Sequence, residues 1–139
     1  MAEIKLTPAQ QAVVDDRGGA LLVSAAAGSG KTKVLVDRLL ARVCDPVSPC
    51  NIDDFLVITY TKAAAAELRV KISQAISLKI AEDPTNRHLQ RQLHRIYLAH
   101  ISTVHAFCSD LLRSYAHLLD IPADFRVAED AESAMLQPQ

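Results

Sequence analysis

Apolar positions along this chain follow two periods. The stretches Ala20-Leu21-Leu22-Val23-Ser24 and Phe55-Leu56-Val57-Ile58 are apolar without polar alternation, and Ile101-Ser102-Thr103-Val104 is short and β-branched. Runs of this kind fit strands buried on both faces of a parallel sheet. Between them the spacing turns helical. Lys31 to Val43 places Val36, Leu39, Leu40 and Val43 on one side, and the helix after Lys62 carries Leu68, Ile72, Ala75, Ile76 and Ile80. Asn86 to Ala99 reads as a further helix with Leu89, Leu93, Ile96 and Tyr97 as its apolar face. A last one opens at His105 and carries Phe107, Leu111, Leu112, Tyr115 and Leu119. Strands alternating with helices predict an α/β fold with a parallel sheet, beginning as a right-handed βαβ unit.

Local punctuation sharpens the boundaries. In Leu6-Thr7-Pro8-Ala9-Gln10, Thr7 is placed to cap a helix, Pro8 takes the first helical position, and Gln10 completes a Thr-x-x-Gln capping box. Arg17-Gly18-Gly19 is a turn, Asp45-Pro46-Val47-Ser48-Pro49 a linker, and Asp83-Pro84-Thr85 a helix breaker. Asp120 to Asp124 reads as a loop, Arg126-Val127-Ala128 as a short extended piece, and an acidic helix is expected from near Asp130.

One loop brings chemistry into this pattern. Ala25-Ala26-Ala27-Gly28-Ser29-Gly30-Lys31-Thr32 joins the first expected strand to a helix, the context a phosphate-binding P-loop requires. Gly28 and Gly30 can adopt backbone angles closed to other residues, so that successive N–H groups turn inward on a phosphate. The following helix offers its unpaired N–H groups and positive dipole end to the same anion. Lys31 adds a full charge, and the Thr32 hydroxyl suits Mg²⁺. The common motif has Gly where this chain has Ala25.

Composition supports a folded chain: of 139 residues, 50% are hydrophobic and 22% charged. No apolar run approaches the roughly 20 residues of a membrane span, and the first residues carry no signal-peptide core, so a cytoplasmic protein is expected. Cys44, Cys50 and Cys108 lack Cys-x-x-Cys spacing and are expected as free thiols. The net charge of −1 conceals an uneven distribution. Residues 60–117 carry 8 basic and 4 acidic side chains and all five histidines, whereas residues 118–139 carry 1 basic and 5 acidic. A polyanion would therefore meet the middle third. Within it Arg87, Arg91 and Arg95 recur every four residues beside His88 and His94. Such a stripe is either a solvated helix face or a phosphate contact.

Three further stretches, taken in order with the P-loop, narrow the field: Leu6 to Gln10, Thr59-Tyr60-Thr61-Lys62 running into Ala63-Ala64-Ala65-Ala66-Glu67-Leu68, and Ser102-Thr103-Val104-His105-Ala106-Phe107-Cys108. Together they resemble the UvrD/Rep-like superfamily 1 DNA helicases, whose P-loop also takes the Ala-x-Ala-Gly-Ser-Gly-Lys-Thr form. Within that family the Thr-Val-His-Ala-Phe-Cys stretch and the run Leu119 to Asp130 resemble the AddA branch, the helicase–nuclease components of double-strand-break processing. The resemblance covers Leu6 to about Leu136.

The resemblance implies a P-loop NTPase with a RecA-like parallel sheet flanked by helices, and cofactors ATP and Mg²⁺. Gln10 would contact adenine, an alternative to its capping duty. Ala25, Ala26, Ala27, Gly28, Ser29, Gly30, Lys31 and Thr32 would form the phosphate cradle, with Lys31 and Thr32 as its catalytic pair and Thr32 on the metal. Lys33 stands where these helicases commonly have Arg beside the nucleotide. Thr59, Tyr60, Thr61, Lys62, Thr103, His105 and Phe107 would face DNA. Tyr60 would stack on bases, its alternative being core packing. For His105 and Phe107 the alternatives are helix capping and core.

No apolar strand ending in Asp-Glu, arginine finger or nuclease carboxylate cluster occurs in this stretch. The resemblance implies that those parts lie far downstream, so residues 1–139 are expected to be the first segment of the first RecA-like domain, with a new element from about residue 129. Alone, this segment is expected to be almost inert. In the whole protein it would serve 3′–5′ unwinding of DNA, single strands and duplex ends, beside an AddB-type partner, with exonuclease activity in break repair. The alternatives are a UvrD- or RecB-like helicase without the AddA role, and a P-loop nucleotide-binding module that is not a DNA motor.

Overall fold

The computed structural model describes residues 5–122, 124–128, 132 and 135. Two compact units divide the chain, Met1–Thr103 and Val104–Gln139.

In the first unit, α1 (Pro8–Asp15) begins with the expected capping box: Thr7 accepts from the Gln10 backbone N–H, and the Gln10 side chain accepts from the Thr7 N–H. The second helix, α2, runs Lys31–Val43, as its period predicts, and buries Val34, Val36, Leu39 and Val43. Strand β1 (Leu56–Thr59) leads into α3 (Lys62–Glu82), whose Leu68, Ile72 and Ile76 are buried at helical spacing. Then come α4 (Arg87–Arg95), with Asn86 as its capping residue, and β2 (His100–Thr103). The strands pair in parallel, Leu56 opposite His100 and Thr59 opposite Thr103. A single cluster joins Val36, Leu39 and Val43 of α2, Ile72 and Ile76 of α3, Leu89, Ile96, Ile52 and Ile101. Each fully buried aliphatic side chain there contributes about 1.5–3 kcal/mol.

Three expectations change. The run Ala20–Ser24 is not a strand; it pairs with no segment among the described residues, and Leu22 is 94% exposed. Apolar patterning states a demand for burial, but a strand exists only where a second backbone supplies the ladder. The parallel βαβ arrangement is therefore built by β1, α3, α4 and β2, not by the first apolar run. Nor is β1 buried on both faces, since Leu56 and Ile58 stay 52% and 41% exposed.

The third change concerns α4, which ends at Arg95 rather than continuing to Ala99. Arg69 of α3 donates to the carbonyls of Ile96, Ala99 and Ile101. These three carbonyls converge on one guanidinium where the chain leaves α4 for β2. Tyr97, expected on the apolar face, points outward and is 82% exposed.

A buried amide anchors α4. Gln92 is fully buried; its Oε1 accepts from the Ile52 N–H at 2.8 Å and its Nε2 donates to Asn51 Oδ1 at 3.0 Å. His88 Nε2 lies 3.1 Å from the Val43 carbonyl, so that ring nitrogen donates. Arg95 Nη2 donates to Asp53 Oδ2 at 2.8 Å, with Nε at 2.8 Å from Oδ1. The guanidinium holds the Asp53 carboxyl below the usual carboxylate range.

The second unit contains α5 (Val104–Ser114) and a 3₁₀ turn at Ala116–Leu118. No residue of α5 is buried. The expected apolar face stays largely open, with Leu111 46% and Tyr115 51% exposed. Arg113 lies 5.2 Å from the centre of the Phe125 ring. The loop from Asp120 contains a left-handed residue, Asp120 itself, at φ 57°. Arg126 to Ala128 forms no strand, and the expected acidic helix near Asp130 lies mostly outside the described residues. Cys44, Cys50 and Cys108 are free thiols, and burial pushes the Cys44 thiol up. Among the described residues no helix is long and apolar enough to cross a membrane.

Candidate nucleotide and nucleic-acid site

The loop between Ser24 and α2 takes its shape from two glycines. Gly28 lies at φ 76° and Gly30 at φ 85°, the left-handed region that costs other residues about 1 kcal/mol or more. Ala27 and Gly28 form the turn, closed by the Ser29 N–H donating to the Ala26 carbonyl at 3.3 Å. Gly30 then precedes the first turn of α2, where Lys31, Thr32 and Lys33 stand exposed. The four first N–H groups of a helix lack intrahelical partners, so a positive helix end faces the loop.

Lys31 folds back over this loop. Its Nζ donates to the carbonyls of Ala25 at 2.7 Å and Ala26 at 2.8 Å. The ammonium thus stands at the mouth of the turn, held by neutral acceptors that an anion would outcompete. Lys33 is engaged elsewhere, 2.7 Å from Asp37 one helical turn on.

Gln10 reaches the loop from α1. While Oε1 accepts from the Thr7 N–H at 2.8 Å, Nε2 donates to the Ser29 carbonyl at 3.1 Å. One amide thus caps α1 and ties it to the loop. A Cβ placed on Gly30 would meet Gln10 Nε2 at 3.4 Å, an ordinary contact, so it is the left-handed backbone and not crowding that calls for glycine there. Arg38 of α2 fixes α1 in place, donating to the Val13 carbonyl and lying 3.5 Å from Asp16. Sequence patterning gives no sign of this role for Arg38. Its partners lie more than 20 residues away, and no local period announces them. A concavity of about 810 Å³ opens here, lined among others by Gln10, Leu22, Ser24, Ser29 and Lys31. That volume falls within the range of small-ligand sites.

A second group of expected residues meets at the C-terminal ends of the strands. Thr59 and Thr103 are register partners on adjacent strands, so their backbones stand about 4.8 Å apart. Tyr60 follows β1 with its side chain fully exposed, at 104% of the reference area. Core packing is therefore not its role in this structure. Thr59 Oγ1 donates to the Thr61 carbonyl at 3.0 Å, while Thr61 Oγ1 accepts from the Ala64 N–H at 3.1 Å and caps α3. Lys62 opens α3 and is exposed. His105 and Phe107 belong to α5 in the second unit, His105 exposed and Phe107 half-buried.

The family model described as UvrD/REP helicase N-terminal domain matches residues 6–138. This chain belongs to that family. Curated relatives that are the A-type component of an ATP-dependent helicase/nuclease align over almost all of it. The Lachnoclostridium phytofermentans protein is 50% identical over 99% of this chain and 10% of its own length. That of Lysinibacillus sphaericus is 46% identical over 98% and 11%, and that of Desulforamulus reducens 45% over 99% and 11%. The chain spans about a tenth of the length of the curated relatives it matches. UvrD/REP membership agrees with the resemblance read from Gln10, the Ala25–Thr32 loop, Tyr60 and the Thr103–Phe107 stretch.

Proposed function

We propose that this chain is the first segment of the first RecA-like domain of an AddA-type, ATP-dependent 3′–5′ DNA helicase–nuclease. The observation that carries this reading is the loop itself. Two glycines in the left-handed region open a helix, with an ammonium at the mouth and a glutamine amide beside it. The relatives named as ATP-dependent helicase/nuclease components support the rest.

The residues present fit ATP·Mg²⁺. The turn at Gly28 is open, since a Cβ there would meet nothing within 4 Å. Backbone N–H groups from Gly28 to Thr32 would hold the phosphates, Lys31 would exchange the carbonyls of Ala25 and Ala26 for phosphate oxygens, and Thr32 would hold the metal. Gln10 would read the adenine edge. Hydrolysis of bound ATP·Mg²⁺ would supply the free energy for stepping. Single-stranded DNA would cross the strand ends at Thr59, Tyr60, Thr61, Lys62 and Thr103, with Tyr60 as a stacking platform and His105 and Phe107 as further contacts. In the whole protein, a cytoplasmic motor with an AddB-type partner, closure against a second RecA-like domain would couple hydrolysis to movement along DNA from a duplex end.

Replacing Lys31 by Ala in the intact protein tests this. Phosphate charge at the loop would be left uncompensated, so DNA-stimulated ATP hydrolysis should vanish. Wild-type turnover in that variant would refute the P-loop assignment.

A further inference from the structure

We propose that the outward face of α4, with Arg87, Arg91 and His94, is a second nucleic-acid contact that takes the phosphate backbone of duplex DNA. The proposal rests on the DNA-motor reading above and adds a surface to it. The structure sorts the basic stripe of the sequence into two parts. Arg95 is turned onto Asp53, and His88 onto the Val43 carbonyl. Arg87 and Arg91, one helical turn apart, and His94 on the next turn are all exposed.

Several exposed cations elsewhere in the chain are neutralised locally. Lys33, Lys71, Lys79 and Arg113 each lie within salt-bridge distance of a carboxylate on their own helix. Arg87 and Arg91 have no such partner among the described residues. No Asp or Glu occurs anywhere from Pro84 to Ser109. A solvated face built only for solubility would intersperse both signs; this one leaves its positive charge uncompensated.

Rigidity and place point to duplex rather than single strand. Leu89, Gln92 and Ile96 fix the inner side of α4, so the outer cations stand on a firm row, about 10 Å from Arg87 to His94 at 1.5 Å per residue. Such a row suits a backbone of fixed spacing and high charge density. The helix packs against the turn at Ile52–Asp54, which precedes β1, and its end leads into His100, the first residue of β2. It therefore sits toward the N-terminal ends of the strands. Thr59, Tyr60 and Thr103 stand at the other end, about 10 Å away along the strands. The two surfaces can hold different parts of one DNA molecule.

The test compares intact wild-type protein with the Arg87→Gln/Arg91→Gln double variant, measuring anisotropy on a blunt duplex and on a short oligo-dT across a salt series. Loss of two phosphate contacts should flatten the duplex salt slope by about 1.8, so that over a fourfold rise in salt the wild type loses about twelvefold more affinity than the variant. Oligo-dT affinity and oligo-dT-stimulated ATP hydrolysis should stay at wild-type values, which also shows that the variant is folded. Arg87→Lys with Arg91→Lys should restore the slope, because charge rather than shape is being read. An unchanged duplex slope, or equal losses on duplex and oligo-dT, would overturn the proposal. A wild-type protein with the duplex slope but without DNA-stimulated hydrolysis would support the α4 contact while overturning the motor reading.

Discussion

Gln10→Glu separates the two duties of one side chain. Glu keeps an acceptor for the Thr7 N–H, now at 2.8 Å from Oε1, because Glu and Gln serve equally in a capping box. It also places a negative charge in the first turn of α1, where the helix dipole favours it by about 0.3–1 kcal/mol. What disappears is the donor to the Ser29 carbonyl, an exposed bond worth about 0.5–1.5 kcal/mol net. These terms nearly offset each other, so stability should stay within about 1 kcal/mol of wild type. ATP binding has no such compensation. An amide meets the adenine edge with one donor and one acceptor, and a good bidentate pair discriminates by about 1–3 kcal/mol. A carboxylate cannot donate. The variant should therefore bind ATP roughly 5- to 150-fold more weakly and lose any preference for ATP over GTP. Isothermal titration with both nucleotides, beside urea unfolding, reads the two effects separately. Unchanged ATP affinity would confine Gln10 to capping. A parallel fall of stability and affinity would show that it acts by holding the loop together, and the adenine contact would be refuted.

Two further outcomes are expected. Tyr60→Ala should weaken single-stranded DNA binding by about 1–3 kcal/mol in a filter-binding or anisotropy assay, with thermal stability and ATP affinity unchanged, because the ring is fully exposed; unchanged DNA affinity would remove Tyr60 from the interface. Gln92→Leu should destabilise the protein by about 1–3 kcal/mol in urea unfolding, since the buried Ile52 N–H would lose its acceptor, and a neutral result would show that water or a shifted backbone satisfies that group.

What was legible in the sequence was local. The bounds of α2, the capping box at Thr7 and Gln10 and the left-handed glycines all depend on residues within one helical turn. Spacing and side-chain chemistry determine such features before any tertiary contact exists. Membership of the helicase family was legible for a similar reason, since it rests on short motifs in a fixed order. Contacts between distant parts of the chain were not legible. Gln10 on the Ser29 carbonyl, Arg69 gathering three carbonyls between α4 and β2, and Arg95 withdrawn onto Asp53 are pairings that no period encodes. The apolar run Ala20–Ser24 shows the same division most plainly. Its composition demands burial, but pairing belongs to two backbones, and here the ladder forms between Leu56–Thr59 and His100–Thr103 instead. Sequence alone determined where glycines could shape a loop ahead of a helix; tertiary structure decided which cations are paired, because an ion pair requires two groups that only the fold brings together.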